Sequence, residues 1–71
     1  MKRYAVLKPI VLGFSRPQDQ FDVLIYPEDN TTLESDGHTI WLIIDNERHE
    51  SITTANAIEN WLNEGKILEI S

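Results

Sequence analysis

The sequence predicts a mainly β fold of the α+β class with one helix, arranged as a small antiparallel barrel or a curled sheet. Three observations predict it. Short runs rich in Val, Ile and aromatic residues recur along the chain, separated by Gly, Pro, Asn and Asp at hairpin spacing. Only one stretch places apolar residues at a helical period. The chain has 71 residues, enough for a single domain spanning 1–71 and no second lobe; a fold of this size hides only about 60% of the surface its unfolded form exposes.

The elements follow in the order β-β-(β)-β-β-α-β. Residues 4–12, Y-A-V-L-K-P-I-V-L, read as a strand bounded by Gly13. Pro9 cannot donate to a ladder, which puts this strand at an edge or makes it bend at a bulge. Residues 13–20, with Gly13, Ser15, Pro17 and Asp19, carry loop chemistry. In the next strand, residues 21–26, Phe21, Val23 and Ile25 share one face and Asp22, Leu24 and Tyr26 the other. Residues 27–38 are the longest polar stretch, which is either a functional loop or holds a short strand around 31–34. Residues 39–44, T-I-W-L-I-I, are apolar on both alternate sets, the pattern of a strand covered on two faces. Asp45 and Asn46 tolerate positive φ and turn the chain into a hairpin with residues 47–52.

The helix comes next. Ser51, Thr53 and Thr54 offer N-cap oxygens, Ile58, Trp61 and Leu62 form an apolar stripe that Ala55 extends, and Glu59, Asn60, Asn63 and Glu64 face water. Gly65 stands where a left-handed C-cap is wanted, and Lys66 suits the negative helix end. Residues 67–70 form a last short strand.

Charge is unevenly placed. Of the chain's 12 acids and 6 bases, residues 1–16 hold Lys2, Arg3, Lys8 and Arg16 with no acid, and residues 17–71 hold every acid against Arg48 and Lys66, giving +4 and −10 and a total of −6. An acidic body repels phosphate backbones, so no direct nucleic-acid partner is expected. The apolar stretch after Met1-Lys2-Arg3 is interrupted by Lys8 and Pro9 with no small-residue cleavage site before Arg16, which argues against export. No run approaches the roughly 20 apolar residues of a membrane span. There is no Cys, which excludes disulfides and thiolate metal sites and suits a cytoplasmic location. With no export expected, the Asn30-Thr31-Thr32 glycosylation pattern is fortuitous.

Chemical motifs are sparse. In the expected hairpin His49 faces Leu42 and His38 faces Thr53, too far apart to share an ion, so no metal is expected. Glu28, Asp29, Glu34 and Asp36 do not spell a calcium loop. Ser51 and His49 share a strand face, yet no nucleophile elbow or oxyanion-hole segment accompanies them. No phosphate-binding glycine motif exists, so no cofactor is expected. Trp41 and Trp61 are expected in the core. Phe14, beside Arg16, either anchors a partner or folds inward to plug the end of a barrel.

The opening Tyr4, Val6, Leu7, Lys8, Pro9 and Ile10, the two-sided strand and hairpin, and the ending Trp61 to Ile67 resemble small SH3-like β-barrel proteins of bacteria and their phages. The resemblance implies a non-enzymatic adaptor, assembly piece or inhibitor. The chain departs from the ordinary SH3 pattern by a proper helix and the lack of a clustered aromatic ligand groove.

The functional expectation is a non-enzymatic module that binds a protein partner through the loops at 13–20 and 27–38. Phe14, Arg16 and Tyr26 would be its anchors, and Asp29, Glu34 and Asp36 its steering charge. The alternative is an acidic decoy, phage-encoded in the resemblance, that blocks the basic nucleic-acid channel of a host enzyme. A flat edge at the Pro9-bearing strand or the last strand would allow a homodimer. A small enzyme would need a concave pocket that joins His49 to a second titratable group.

Overall fold

The computed structural model describes residues 1–70. Seven strands and one helix follow one another as β1 Lys2–Val6, β2 Ile10–Ser15, β3 Gln20–Ile25, β4 Thr32–Ser35, β5 Thr39–Ile44, β6 Glu47–Thr54, α1 Asn56–Asn63 and β7 Ile67–Glu69, with a 3₁₀ turn at Pro27–Asp29 between β3 and β4. Five strands form an antiparallel sheet in the order β6-β5-β4-β1-β7, and β2 and β3 form a separate antiparallel hairpin. The α+β class is as expected; the two sheets do not close into a barrel.

The first expected strand is in fact two. The chain breaks at Leu7, Lys8 and Pro9, where the amides of Leu7 and Lys8 both donate to the Lys66 carbonyl at 2.7 and 3.1 Å. Pro9, having no N–H, stands at the corner where the chain leaves the large sheet for the hairpin. β1 is consequently no edge: β4 flanks it on one side and β7 on the other. Strand structure also runs on through Phe14 and Ser15, leaving only residues 16–19 as the hairpin loop.

The remaining strands follow their residue chemistry. β3 alternates as expected, with Ile25 buried, Phe21 and Val23 half-buried, and Asp22 and Leu24 exposed. A strand does lie within the polar stretch, at β4. Asp45 and Asn46 adopt φ of 51° and 66°, the left-handed pair of a two-residue hairpin turn, and set Ile44 opposite Glu47 and Leu42 opposite His49. An irregularity between Thr39 and Trp41 shifts the register so that Thr39, rather than His38, meets the end of β6, at Thr54. Trp41 is half-buried instead of core, because it points away from Ile40 and Leu42; the Arg48 guanidinium covers its ring at 4.0 Å from the centroid.

One face of the large sheet, with Tyr4, Val6, Leu33, Ile40 and Leu42, packs against Ile58 and Trp61 of α1 and against Ile10, Leu12 and Ile25 of the hairpin. Leu62 stays exposed. The helix ends as its residues require: Gly65 takes φ 69° and donates to the Leu62 carbonyl at 3.1 Å, and Lys66 donates to the Trp61 carbonyl at 2.8 Å. This paired closure satisfies carbonyls of the last turn. It starts differently, since Ala55 holds the cap position with no side-chain hydrogen bond.

Thr31 carries a buried hydroxyl with no hydrogen-bond partner among the described residues. Thr31→Val keeps the shape and removes the unsatisfied group, so we expect a gain of up to about 1 kcal/mol in chemical denaturation. A loss of stability would show that the hydroxyl is satisfied in solution.

Candidate functional site

The hairpin loop is built from short-range chemistry. The Arg16 amide donates to the Asp19 carbonyl at 2.8 Å, and the Arg16 guanidinium grips the Asp19 carboxylate with Nε–Oδ1 of 2.8 Å and Nη2–Oδ2 of 2.9 Å. Exposed pairs add little stability, but this two-pronged contact closes the loop in one shape. Directly behind it Phe14 and Phe21 face each other across the ladder, rings stacked with centroids 5.8 Å apart. Arg16 lies over Phe21 at 4.2 Å. Phe14 is thus neither a free anchor nor a sealed plug: it is a half-buried strand residue packed at the margin of the core.

Phe14, Phe21 and Val23 form one wall of a groove of about 190 Å³, and Leu42, Ile44 and His49 of the β5–β6 hairpin form the other. The lining is almost wholly apolar. Beside it Arg16, over Phe21, is paired with Asp19; on the opposite wall Asp45 stands in the turn after Ile44, and Glu47 Oε2 is 3.9 Å from His49 Nε2.

The spacing of the walls is set by a clasp between β2 and β6. The Ser51 hydroxyl donates to the Gly13 carbonyl at 2.7 Å, the Gly13 amide donates to Thr53 Oγ1 at 2.8 Å, and the Thr53 amide donates to Ser51 Oγ at 3.0 Å. Gly13 permits the approach: a Cβ there would stand 3.2 Å from Ile52 Cγ1. Ser51 and Thr53, expected as helix caps, are therefore engaged with another strand, and Thr54, the third expected cap, gives the start of α1 no side-chain hydrogen bond either.

The other expected site residues do not join the groove. Tyr26 and Asp29 sit past the far end of β3, where the Tyr26 amide donates to Asp29 Oδ2 at 2.8 Å. Phe21 and Ile25 are four residue steps apart along β3, so the two hairpin ends are about 13 Å apart. Glu34 lies on the outward face of β4 between Arg3, at 3.2 Å, and Arg48, at 3.6 Å. Asp36 stands in the turn before β5, its Oδ1 accepting the amides of His38 and Thr39 at 2.9 Å each. Those two donors, Thr39 first, hold its carboxyl below the usual carboxylate range. Of the six only Phe14 lines the groove, with Arg16 lying over its neighbour Phe21. Phe21, Val23, Ile44 and His49 were missed; the one signal for Phe21 was its symmetric placement with Phe14 about residues 16–19.

Among the described residues, no three His, Asp or Glu side chains converge as a metal-binding group. Among the same residues, no helix is long and apolar enough to cross a membrane. Comparison with protein-family models, curated proteins and solved structures returned no match.

Proposed function

We propose that this chain is a non-enzymatic protein-interaction module that seats an aliphatic anchor of a partner protein, flanked by Lys or Arg, in the groove between the β2–β3 and β5–β6 hairpins. The observation that carries the reading is the groove itself: an apolar trough with a stacked aromatic pair on one wall, where Arg16 is neutralised by Asp19, and with Asp45 and Glu47 beside the other. Apolar side chains enter such a trough because water leaves both surfaces, and the acidic border favours a basic flank. Arg16, locked over Phe21, holds that wall in place before a partner arrives, which reduces the ordering cost of binding. We further propose a kinship in architecture with small SH3-like barrels, supported by the antiparallel hairpin laid against β6 and the single helix before the last strand.

The decoy reading is weaker. The acids are spread over β3, β4, β6, α1, β7 and the turns, and Asp19, Glu34, Glu64 and Glu69 are drawn to Arg16, Arg3 and Arg48, Lys66 and Lys2.

The test is a ¹⁵N NMR titration with two capped pentapeptides, Lys-Leu-Lys-Leu-Lys and its Glu-for-Lys counterpart. The basic peptide should shift amides of Phe21, Val23, Ile44 and His49 and bind at least about tenfold more tightly than the acidic one. Ile44→Lys, at an exposed position, should abolish the shifts while leaving the melting temperature unchanged within a few degrees. Shifts located elsewhere, or equal binding of both peptides, would overturn the proposal.

A further inference from the structure

The back of the β2–β3 hairpin is bare. Phe21 and Val23 turn one side of β3 to the groove, and Asp22, Leu24 and Tyr26 take the other side, since Tyr26 continues the extended backbone at φ −105° and ψ 152°. Val11 pairs with Leu24 and Gly13 with Asp22. Ile52 of β6 lies over Gly13, its Cγ1 3.2 Å from where a Cβ would stand, and this brings it beside Asp22. Val11, Leu24, Tyr26 and Ile52 thus share one face, each between 41% and 50% exposed. Single exposed apolar residues are ordinary on a small protein; a contiguous group marks a contact surface.

The charges around the face select its partner. Asp22 stands within it, Glu50 precedes Ile52 by two residues on the outward side of β6, and Glu28 and Asp29 follow Tyr26 in the 3₁₀ turn. None of these carboxylates has a cation within ion-pair distance among the described residues, in contrast to Asp19, Glu34, Glu64 and Glu69. Arg48, next along β6, is turned to Glu34 and Trp41. Lys8, before Pro9 at the Tyr26 end, is outnumbered there by Glu28 and Asp29. A second copy would bring like charges together, which disfavours self-association, whereas a cationic partner gains at both ends.

The face also sets the partner's shape. It is the flat of a two-stranded ladder and offers side chains, with no free row of backbone groups to which a strand could be added. A helix is the element that covers such a face. Asp22 and Tyr26 are four steps apart along β3, about 13 Å, which a helix rising about 1.5 Å per residue spans in roughly nine residues.

We infer that the back of this hairpin is a docking face for an amphipathic helical segment of a partner protein, with its apolar stripe on Val11, Leu24 and Ile52 and its Lys or Arg residues toward the acids at the two ends. The face lies on the other side of β3 from the groove and does not depend on it.

The test is made on Ile44→Lys, which disables the groove, so failure here is separate from failure of the groove reading. The probe is a capped peptide of about 18 residues, with Leu at i, i+3, i+4 and i+7 and Lys on its polar side, or its Glu-for-Lys counterpart. The pentapeptides used for the groove are too short to hold a helix. The ¹⁵N amide signals of Val11, Leu24, Tyr26 and Ile52 should shift, with the Lys peptide bound at least about tenfold more tightly than the Glu peptide. Leu24→Lys, added at an exposed position, should abolish the shifts, and Asp22→Asn with Glu28→Gln should weaken binding about fivefold. No binding of the Lys peptide, equal affinity for both peptides, or indifference to Leu24→Lys would refute the site. Shifts at these residues that grow with protein concentration alone would also refute it, by showing that a second copy covers the face.

Discussion

Replacing Ser51 by Ala together with Thr53 by Val should lower the free energy of unfolding by about 2–4 kcal/mol, because a buried polar group that loses its partner costs about 1–3 kcal/mol. Ser51 is 4% exposed, and its hydroxyl serves two backbone groups at once, giving its proton to the Gly13 carbonyl and accepting the Thr53 amide. The double change leaves both the N–H and the C=O of Gly13 without the side chains that hold them. The hairpin that supplies Phe14, Phe21 and Val23 should then move relative to Leu42, Ile44 and His49, so the groove loses its spacing along with the stability. Urea denaturation gives the energy, and hydrogen exchange at the Gly13 amide reports whether the clasp opens locally. A double variant within about 0.5 kcal/mol of the parent, the usual range for unimportant surface changes, would show that the clasp does not hold the hairpin.

Leu33→Ala should cost more, about 3–5 kcal/mol, the upper part of the range for a leucine deleted from a packed core. Leu33 is 0% exposed on β4, the middle strand of the large sheet, between Tyr4 on β1 and Leu42 on β5. Every side of it is fixed by a ladder or by the core, so the surroundings cannot collapse into the space. A chain of this length has a total stability of roughly 4–10 kcal/mol, and the variant should be partly unfolded at room temperature. Leu24→Ala, on the solvent side of β3, is the control and should change stability by less than about 0.5 kcal/mol. Equal effects of the two substitutions would mean that β4 is not the centre of the core.

Much of the local structure was legible because single residues dictate it. Asp45 and Asn46 accept the left-handed turn, Gly65 closes the helix, and the alternation of β3 survives in its burial. The misreadings share a different origin. Pro9 was read as the sign of an edge strand or of a bulge within one strand, although it marks the passage from one sheet to another. Ser51 and Thr53 have the chemistry of helix caps and were read as such, but a carbonyl and an amide 38 and 40 residues away claim them. Trp41 was assigned to the core by its apolar character, yet the pleat turns it outward, under Arg48.

The candidate site shows the same division. Phe14 and Arg16 drew notice through composition, whereas Val23, Ile44 and His49 carry no local mark and become partners only when two hairpins cross. By itself the sequence determined the turns, the strand faces, the single helix and the unequal charge of its two parts, since each depends on backbone preference or side-chain period within a few residues. Only the tertiary structure decided which hairpin lies against which, how wide the groove is and that α1 begins uncapped. Those outcomes depend on how β2 is laid against β6, through a close approach at Gly13 between segments far apart in the chain.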